Sequence, residues 1–267
     1  MAFVRPIIEY GSIIYDSCNL TDSNKIEQIQ LEAARIVTGA KKGTSHSAMY
    51  HELSWLTLQE RRTISKLVKM YNIVKKESPG YLYQTVQSFQ TSQQTTRFSV
   101  HGGLKIPQCR TEVYRRSPIV SCIQLWNQLD ASAREVSTLA IFKNQLNGRY
   151  SKQPALFHHT KQRALQVAFT QIRMGFSNLN SDLASRNLVP IAKCSCGDPN
   201  ENAKHFFLSC PLYSTIRNQL MSDLTAFADF PLVTVDILLY GSPVLSAYEN
   251  TQIFSSVYKY INDSKRF

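Results

Sequence analysis

The sequence predicts a mainly α-helical protein, and three kinds of observation support this prediction. Apolar residues recur at three- and four-residue spacing in several segments, which is the spacing of one helix face. Residues that favour helix N-caps precede these segments, and glycine or proline follows them. The chain has 267 residues, of which 43% are hydrophobic and 18% charged, so it has enough apolar sequence for one or two ordinary cores.

The first strong helical pattern covers residues 24–38, with candidate N-caps at residues 21–23. A second helix is predicted to begin at Thr57, because Thr57 and Glu60 have the spacing of a capping box. Pro79 and Gly80 are expected to end that helix.

Helical patterns continue through the rest of the chain. Ser117 followed by Pro118 is typical of a helix start, because proline suits the first helical position. Apolar residues at helical spacing predict further helices around Val120–Leu129, Leu139–Leu146, Leu165–Ile172, Ile216–Phe227 and Ile253–Ile261.

Changes in composition divide the chain into four predicted segments. Residues 1–83 form a helical module, and residues 84–114 are a polar linker rich in Gln, Ser and Thr. Residues 115–190 form a basic helical region, and residues 191–267 form a C-terminal module with a small β element expected in it.

The net charge of +11 is unevenly distributed along the chain. Residues 191–267 hold six lysines and arginines against seven acidic residues, so residues 1–190 carry a net charge of +12. No acidic residue occurs between Glu135 and Asp182. A segment with basic but no acidic residues produces a positive potential that would attract nucleic acid phosphates. The alternative is a solvated basic surface without a dedicated partner. The candidate phosphate contacts in this window are Lys143, Arg149, Lys152, Lys161, Arg163 and Arg173.

Three cysteines and a histidine lie within 17 residues, as Cys194, Cys196, His205 and Cys210. Two ligands on one turn and two on the following segment would surround a tetrahedral zinc ion, and four protein ligands leave no open position for catalysis. The sequence therefore predicts a structural zinc site. The alternative is three buried cysteines and a hydrogen-bonded histidine without metal.

Other features restrict the cellular setting and the chemistry. The N-terminus has no secretory signal pattern, and no run of about 18 apolar residues predicts a membrane span. We therefore expect an intracellular protein of the nucleus or cytoplasm, with no disulfide framework and no membrane partner. Neither catalytic residues nor an organic cofactor site is predicted, because no nucleophile motif or phosphate-binding glycine loop occurs.

Four stretches together resemble the C-terminal region of the reverse transcriptase of non-LTR (LINE-type, jockey-like) retrotransposons. They are Arg5–Ser12 with Tyr15-Asp16, Leu53–Leu58 with Arg61-Arg62, Trp126–Leu129 followed by Phe142–Leu146, and the cysteine–histidine cluster with Pro211, Tyr213 and Arg217. The resemblance implies that residues 1–83 are a thumb-like module and that the cluster is the family's CCHC zinc motif. It implies polymerase ancestry without polymerase activity, because the chain contains no Asp-Asp pair and no endonuclease domain.

Two functions follow as expectations. The first is a non-catalytic fragment that binds RNA or DNA through phosphate contacts. The second is a protein-interaction or structural fragment, or a genomic relic without function. In that second case, apolar faces near Phe206-Phe207 and Ile253–Val257 would dock on a missing polymerase portion.

Overall fold

The computed structural model describes residues 4–87, 102–150, 162–225 and 233–267. All regular secondary structure in these ranges is helical, which confirms the mainly α fold class. The expectation of a small β element near the cysteine–histidine cluster is wrong, because the described residues there form no strand. Residues 192–201 instead form a loop, closed by hydrogen bonds from Cys194 N to Asp198 O and from Glu201 N to Ala192 O.

The α-helices are numbered in chain order through the described residues. They are α1 (Val4–Glu9), α2 (Ser12–Tyr15), α3 (Leu20–Thr38), α4 (His46–Leu53), α5 (Leu58–Val74), α6 (Gly80–Gln87), α7 (Glu112–Arg115), α8 (Pro118–Asn127), α9 (Ala131–Arg134), α10 (Leu139–Tyr150), α11 (Arg163–Arg173), α12 (Asn180–Ala184), α13 (Ser214–Thr225), α14 (Val235–Tyr240) and α15 (Ala247–Ser264). A π-helical turn covers His205–Ser209, and a 3₁₀ turn covers Pro211–Tyr213.

The helix starts follow the capping chemistry of the sequence. The predicted capping box at α5 is confirmed, because the Thr57 side chain accepts from Glu60 N and the Glu60 side chain accepts from Thr57 N. Pro118 occupies the first turn of α8, as predicted. Helix α3 begins earlier than predicted, because the Asn19 side-chain oxygen accepts from Asp22 N at 2.8 Å.

Contacts group the chain into two compact units. Unit 1 comprises Met1–Gln30 and Leu56–Lys152, and unit 2 comprises Leu31–Trp55 and Gln153–Phe267. The four segments predicted from the sequence divide the chain differently, and that division stays a prediction.

The core of unit 1 forms where α5, α8 and α10 meet. The rings of Tyr71 and Phe142 stack with centroids 4.7 Å apart, and Trp126 lies 5.9 Å from Phe142. The Trp126 indole donates to the carbonyl of Gly102 at 2.9 Å, and Leu104 is buried beside it. Part of the segment predicted as a polar linker therefore packs on this core.

A buried ion cluster joins α2 to α5 within unit 1. Asp16 accepts from the Arg62 guanidinium at 2.5 Å and also pairs with Lys66. Arg62 also donates hydrogen bonds to Ser23 and Gln59. These bonds offset part of the cost of removing the guanidinium from water.

The main core of unit 2 forms between α11, α13, α14 and α15. Phe206, Phe207, Ile253 and Val257 are all fully buried in it. The expectation that these four residues form docking faces is therefore wrong, since their apolar side chains are used inside unit 2.

Among the described residues, no helix is long and apolar enough to cross a membrane.

Replacing Phe142 by alanine should lower the free energy of unfolding by about 3–5 kcal/mol, because it leaves a cavity beside Tyr71 and Trp126. Denaturant unfolding would measure the change. Ile141→Ala is the matched control, because Ile141 is 49% exposed on the same helix. Equal effects of the two substitutions would contradict this description of the core.

Candidate metal centre

The first two ligands lie on a tight turn. Cys194 N donates to Asp198 O at 2.8 Å, and Gly197 N donates to Cys194 O at 3.0 Å. Gly197 has a φ of 104°, which a residue with a side chain rarely adopts. The glycine therefore lets the chain reverse directly after Cys196.

The other two ligands lie at the two ends of the π-helical turn. Cys210 N donates to His205 O at 2.8 Å, which is the five-residue step of a π-helix. The Asn202 side chain accepts from His205 N at 2.8 Å and fixes the start of the turn. Within this turn, Phe206 and Phe207 are buried in the core of unit 2.

The four side chains converge on one point. Their potential ligand atoms all lie within 4.8 Å of one another. The sulfur atoms of Cys194 and Cys210 are 3.8 Å apart, and the Cys196 sulfur lies 3.2 Å from His205 Nε2. Cys194, His205 and Cys210 are buried, and Cys196 is half-buried. This cluster can hold a metal ion, as the spacing of the cysteines and histidine predicted.

The second ring nitrogen of His205 is also held in place. His205 Nδ1 lies 3.3 Å from Asp198 Oδ2 and 3.3 Å from Ser209 Oγ. A carboxylate at this nitrogen fixes the tautomer that leaves Nε2 free to bind a metal. The position of Asp198, two residues after Cys196, was the only hint of this role in the sequence.

The environment acts differently on the three thiols. Burial raises the pKa of Cys194 to about 12, and burial also raises the pKa of Cys210. The pKa of Cys196 is lowered, chiefly by the backbone N–H of Asp198. A bound cation would offset the cost of burying the Cys194 and Cys210 thiolates, and its binding would release their protons.

An ion pair between the buried Glu201 and the half-buried Arg266 ties the loop of residues 192–201 to the end of α15. Arg266 donates from Nε to Glu201 Oε1 and from Nη2 to Glu201 Oε2, both at 2.8 Å. Asn180 N also donates to Glu201 at 2.9 Å. Burial alone would raise the pKa of Glu201, but donation by Arg266 and Asn180 holds the pKa below its ordinary value. Glu201 is therefore a structural carboxylate in the ligand loop.

Aromatic side chains support the second ligand segment. The Tyr260 hydroxyl donates to the carbonyl of Phe206 at 2.6 Å, and the two rings meet edge to face with centroids 5.2 Å apart. Arg217 donates to the carbonyl of Cys210. These contacts fix the backbone on both sides of the π-helical turn.

The predicted phosphate contacts lie in several different places. Lys143 and Arg149 are exposed on α10 of unit 1, where Arg149 lies 3.5 Å from Asp130. Arg163 is exposed at the start of α11 in unit 2 and donates to the carbonyl of Ile36 at 2.6 Å. Lys152 and Lys161 lie outside the described residues.

Arg173 does not lie on the surface. Its guanidinium is 3.3 Å from the Glu52 carboxylate, and both side chains are almost completely buried. The cation also lies 5.1 Å from the centre of the Tyr240 ring. This placement argues against phosphate contact by Arg173, because its charge is already paired inside unit 2.

No protein-family model matches the chain, and no curated protein or solved structure shows significant similarity to it. The resemblance to retrotransposon reverse transcriptases therefore rests on the sequence stretches alone.

Purified protein should contain one metal ion per chain, and Cys210→Ser should lose it, because the hydroxyl is a much weaker ligand than the thiolate. Metal analysis after gel filtration would measure the stoichiometry. Cys18→Ser is the matched control, because Cys18 lies outside the cluster. A metal-free protein that is otherwise folded would contradict the assignment.

Arg266→Ala should lower the free energy of unfolding by about 2–3 kcal/mol at neutral pH, because it leaves the buried Glu201 without its cation. The pKa of folded Glu201 lies below the ordinary 4.5, so this stabilisation is complete above that pH and is lost as the pH falls below it. The difference between wild type and Arg266→Ala should therefore shrink in acid.

Urea unfolding at about pH 7 and about pH 4 would test this dependence. Lys265→Ala is the control, since Lys265 is exposed next to Arg266. A difference from wild type that stays constant between the two pH values would show that Glu201 is not the group responsible.

Proposed function

We propose that this chain is a zinc-ordered, non-catalytic nucleic-acid-binding fragment of a non-LTR retrotransposon reverse transcriptase. The observation that carries the proposal is the convergence of Cys194, Cys196, His205 and Cys210 within 4.8 Å. The proposal includes no catalysis, because the chain contains no Asp-Asp pair.

Zinc is the metal that this ligand set favours. Three thiolates and one imidazole are soft and borderline ligands, which suit zinc better than magnesium or calcium. Around a tetrahedral zinc with bonds of about 2.3 Å, two sulfur atoms would lie about 3.8 Å apart. The distance between the sulfur atoms of Cys194 and Cys210 is 3.8 Å. All four positions would be filled by protein, so the zinc would order the ligand loop and bind no substrate.

Net charge supports nucleic acid as the partner. Residues 1–190 carry +12, and Lys143, Arg149 and Arg163 are exposed on described helices of that region. Exposed lysine and arginine side chains release condensed counterions when they bind phosphates, which gives affinity without base specificity.

The retrotransposon origin in this proposal rests on the four sequence stretches that carry the resemblance. Asp16 belongs to the first stretch and Arg62 to the second, and these two side chains form a buried ion pair in unit 1. Residues of the first two stretches therefore pack against each other in unit 1.

The second candidate is a protein-interaction fragment that binds a polymerase portion. Exposed apolar residues on α1 to α3 favour it, since Ile7, Tyr10, Ile14 and Leu20 are each at least 70% exposed. Burial of such side chains at an interface would be favourable.

A salt titration distinguishes the two candidates. Binding of the full chain to single-stranded RNA and to duplex DNA should weaken steeply as salt increases. The double variant Lys143→Gln/Arg149→Gln should reduce the slope of log K against log salt by about 2, because two phosphate contacts are lost. Fluorescence anisotropy would measure the affinities.

Lys265→Gln is the control for this titration, because it removes one exposed charge from the nearly neutral C-terminal segment. Protein that contains zinc but binds neither nucleic acid at low salt would contradict the proposal and favour the interaction fragment.

A further inference from the structure

Unit 2 contains a cavity of about 500 Å³ that the metal centre does not use. This volume lies in the range of pockets that hold small ligands. One wall is a face of α11 that includes Ala164, Leu165 and Ala168. Ile261 and Phe267, at the C-terminal end of the chain, line it from another side.

Amide side chains and one cation add polar groups to these apolar walls. The amide side chains are those of Gln162, Gln171, Asn178 and Asn262, and that of Gln171 donates to the carbonyl of Gly39 at 2.7 Å. Among the described side chains that line the cavity, Lys41 is the only charged one. Its ammonium group donates to the Asn178 side chain. The cavity therefore combines apolar walls, amide groups that both donate and accept hydrogen bonds, and a single positive charge.

The electrostatic surroundings of Lys41 favour an anion. The pKa of Lys41 is lowered, first by burial and then by the nearby Arg186, with Asp182 acting in the opposite direction. A phosphate next to this ammonium would replace the solvation that it has lost.

We propose that this cavity accepts one unpaired nucleobase of a single-stranded nucleic acid, with the adjoining phosphate at Lys41. The inference rests on the proposed nucleic-acid-binding function and names the strand that the protein would prefer. A base has two apolar faces that suit the wall of α11 and the ring of Phe267, and an edge that suits amide groups. A paired base inside a duplex cannot enter without leaving the stack, so single strands would bind better.

Other ligand classes fit these walls less well. A purely apolar chain would exclude water from Lys41 and the amide groups and would offer them no hydrogen bond in exchange, which is costly. An acidic peptide would satisfy Lys41 but would not use both an aromatic ring and amide groups at once. It is the occupant that the experiment must distinguish from a nucleotide.

The test compares a labelled single-stranded oligouridylate with an abasic oligomer of the same length, using the full zinc-loaded chain. Ala164→Trp should fill the cavity from the exposed first turn of α11, and Ala247→Trp is its control on the exposed first turn of α15. Lys41→Gln should remove the phosphate partner, and Lys42→Gln is its control, because Lys42 is exposed and does not line the cavity.

We expect the abasic oligomer and the Ala164→Trp variant each to show about tenfold weaker binding, since one stacked base is lost. Lys41→Gln should lower the slope of log K against log salt by about 1, and the two controls should match wild type. Far-UV circular dichroism and zinc content would show whether each variant is folded. The abasic comparison needs no variant and decides the question even if Ala164→Trp fails to fold.

The possible failures can be told apart. No binding of any oligomer by the zinc-loaded chain would overturn both the proposed function and this inference. Normal binding that is unchanged by base removal, by Ala164→Trp and by Lys41→Gln would overturn only the inference. If wild type binds a labelled oligoglutamate peptide, Ala164→Trp abolishes that binding and binding of the oligouridylate is unchanged, the cavity would instead be assigned to a protein partner.

Discussion

The convergence of three sulfur atoms and one imidazole nitrogen within 4.8 Å is the constraint on which the C-terminal part of unit 2 depends. The first ligand pair requires the reversal at Gly197, and the second pair requires the π-helical turn. That turn places Phe206 and Phe207 in the core, and Arg266 holds the intervening loop through Glu201. A metal ion would therefore stabilise the loop, the turn and the packing of α15 together, because Arg266 bonds to Glu201 in the loop and Tyr260 bonds to Phe206 in the turn.

The two proposed contributions to function come from different parts of the sequence. The metal centre would provide order in a segment whose net charge is −1, whereas the affinity for phosphates would come from a region whose net charge is +12. Charge supplies affinity without sequence preference, and the cavity beside Lys41 would add selectivity for unpaired bases. Under these proposals, a metal-ordered loop, exposed basic residues and a base-sized cavity would together serve the binding of single-stranded nucleic acid.

Much of this organisation could be predicted from sequence, because its causes are local. The capping box at Thr57, the proline start of α8 and the metal ligands all depend on residues close together in the chain. Two features could not be predicted. Nothing in the sequence around Arg266 indicates a buried partner, and the basic window makes Arg173 a candidate phosphate contact. Their partners, Glu201 and Glu52, are distant in sequence, and only tertiary packing brings each pair together. Helix α3 starts at Leu20, before the candidate caps at residues 21–23, because the Asn19 side chain accepts from Asp22 N.

X-ray absorption at the zinc edge of the purified chain tests the central claim most directly, since it reports both the metal and its ligands. The account predicts three sulfur ligands at about 2.3 Å and one nitrogen ligand at about 2.0–2.1 Å. A metal surrounded only by oxygen and nitrogen, or the absence of zinc from folded protein, would contradict it.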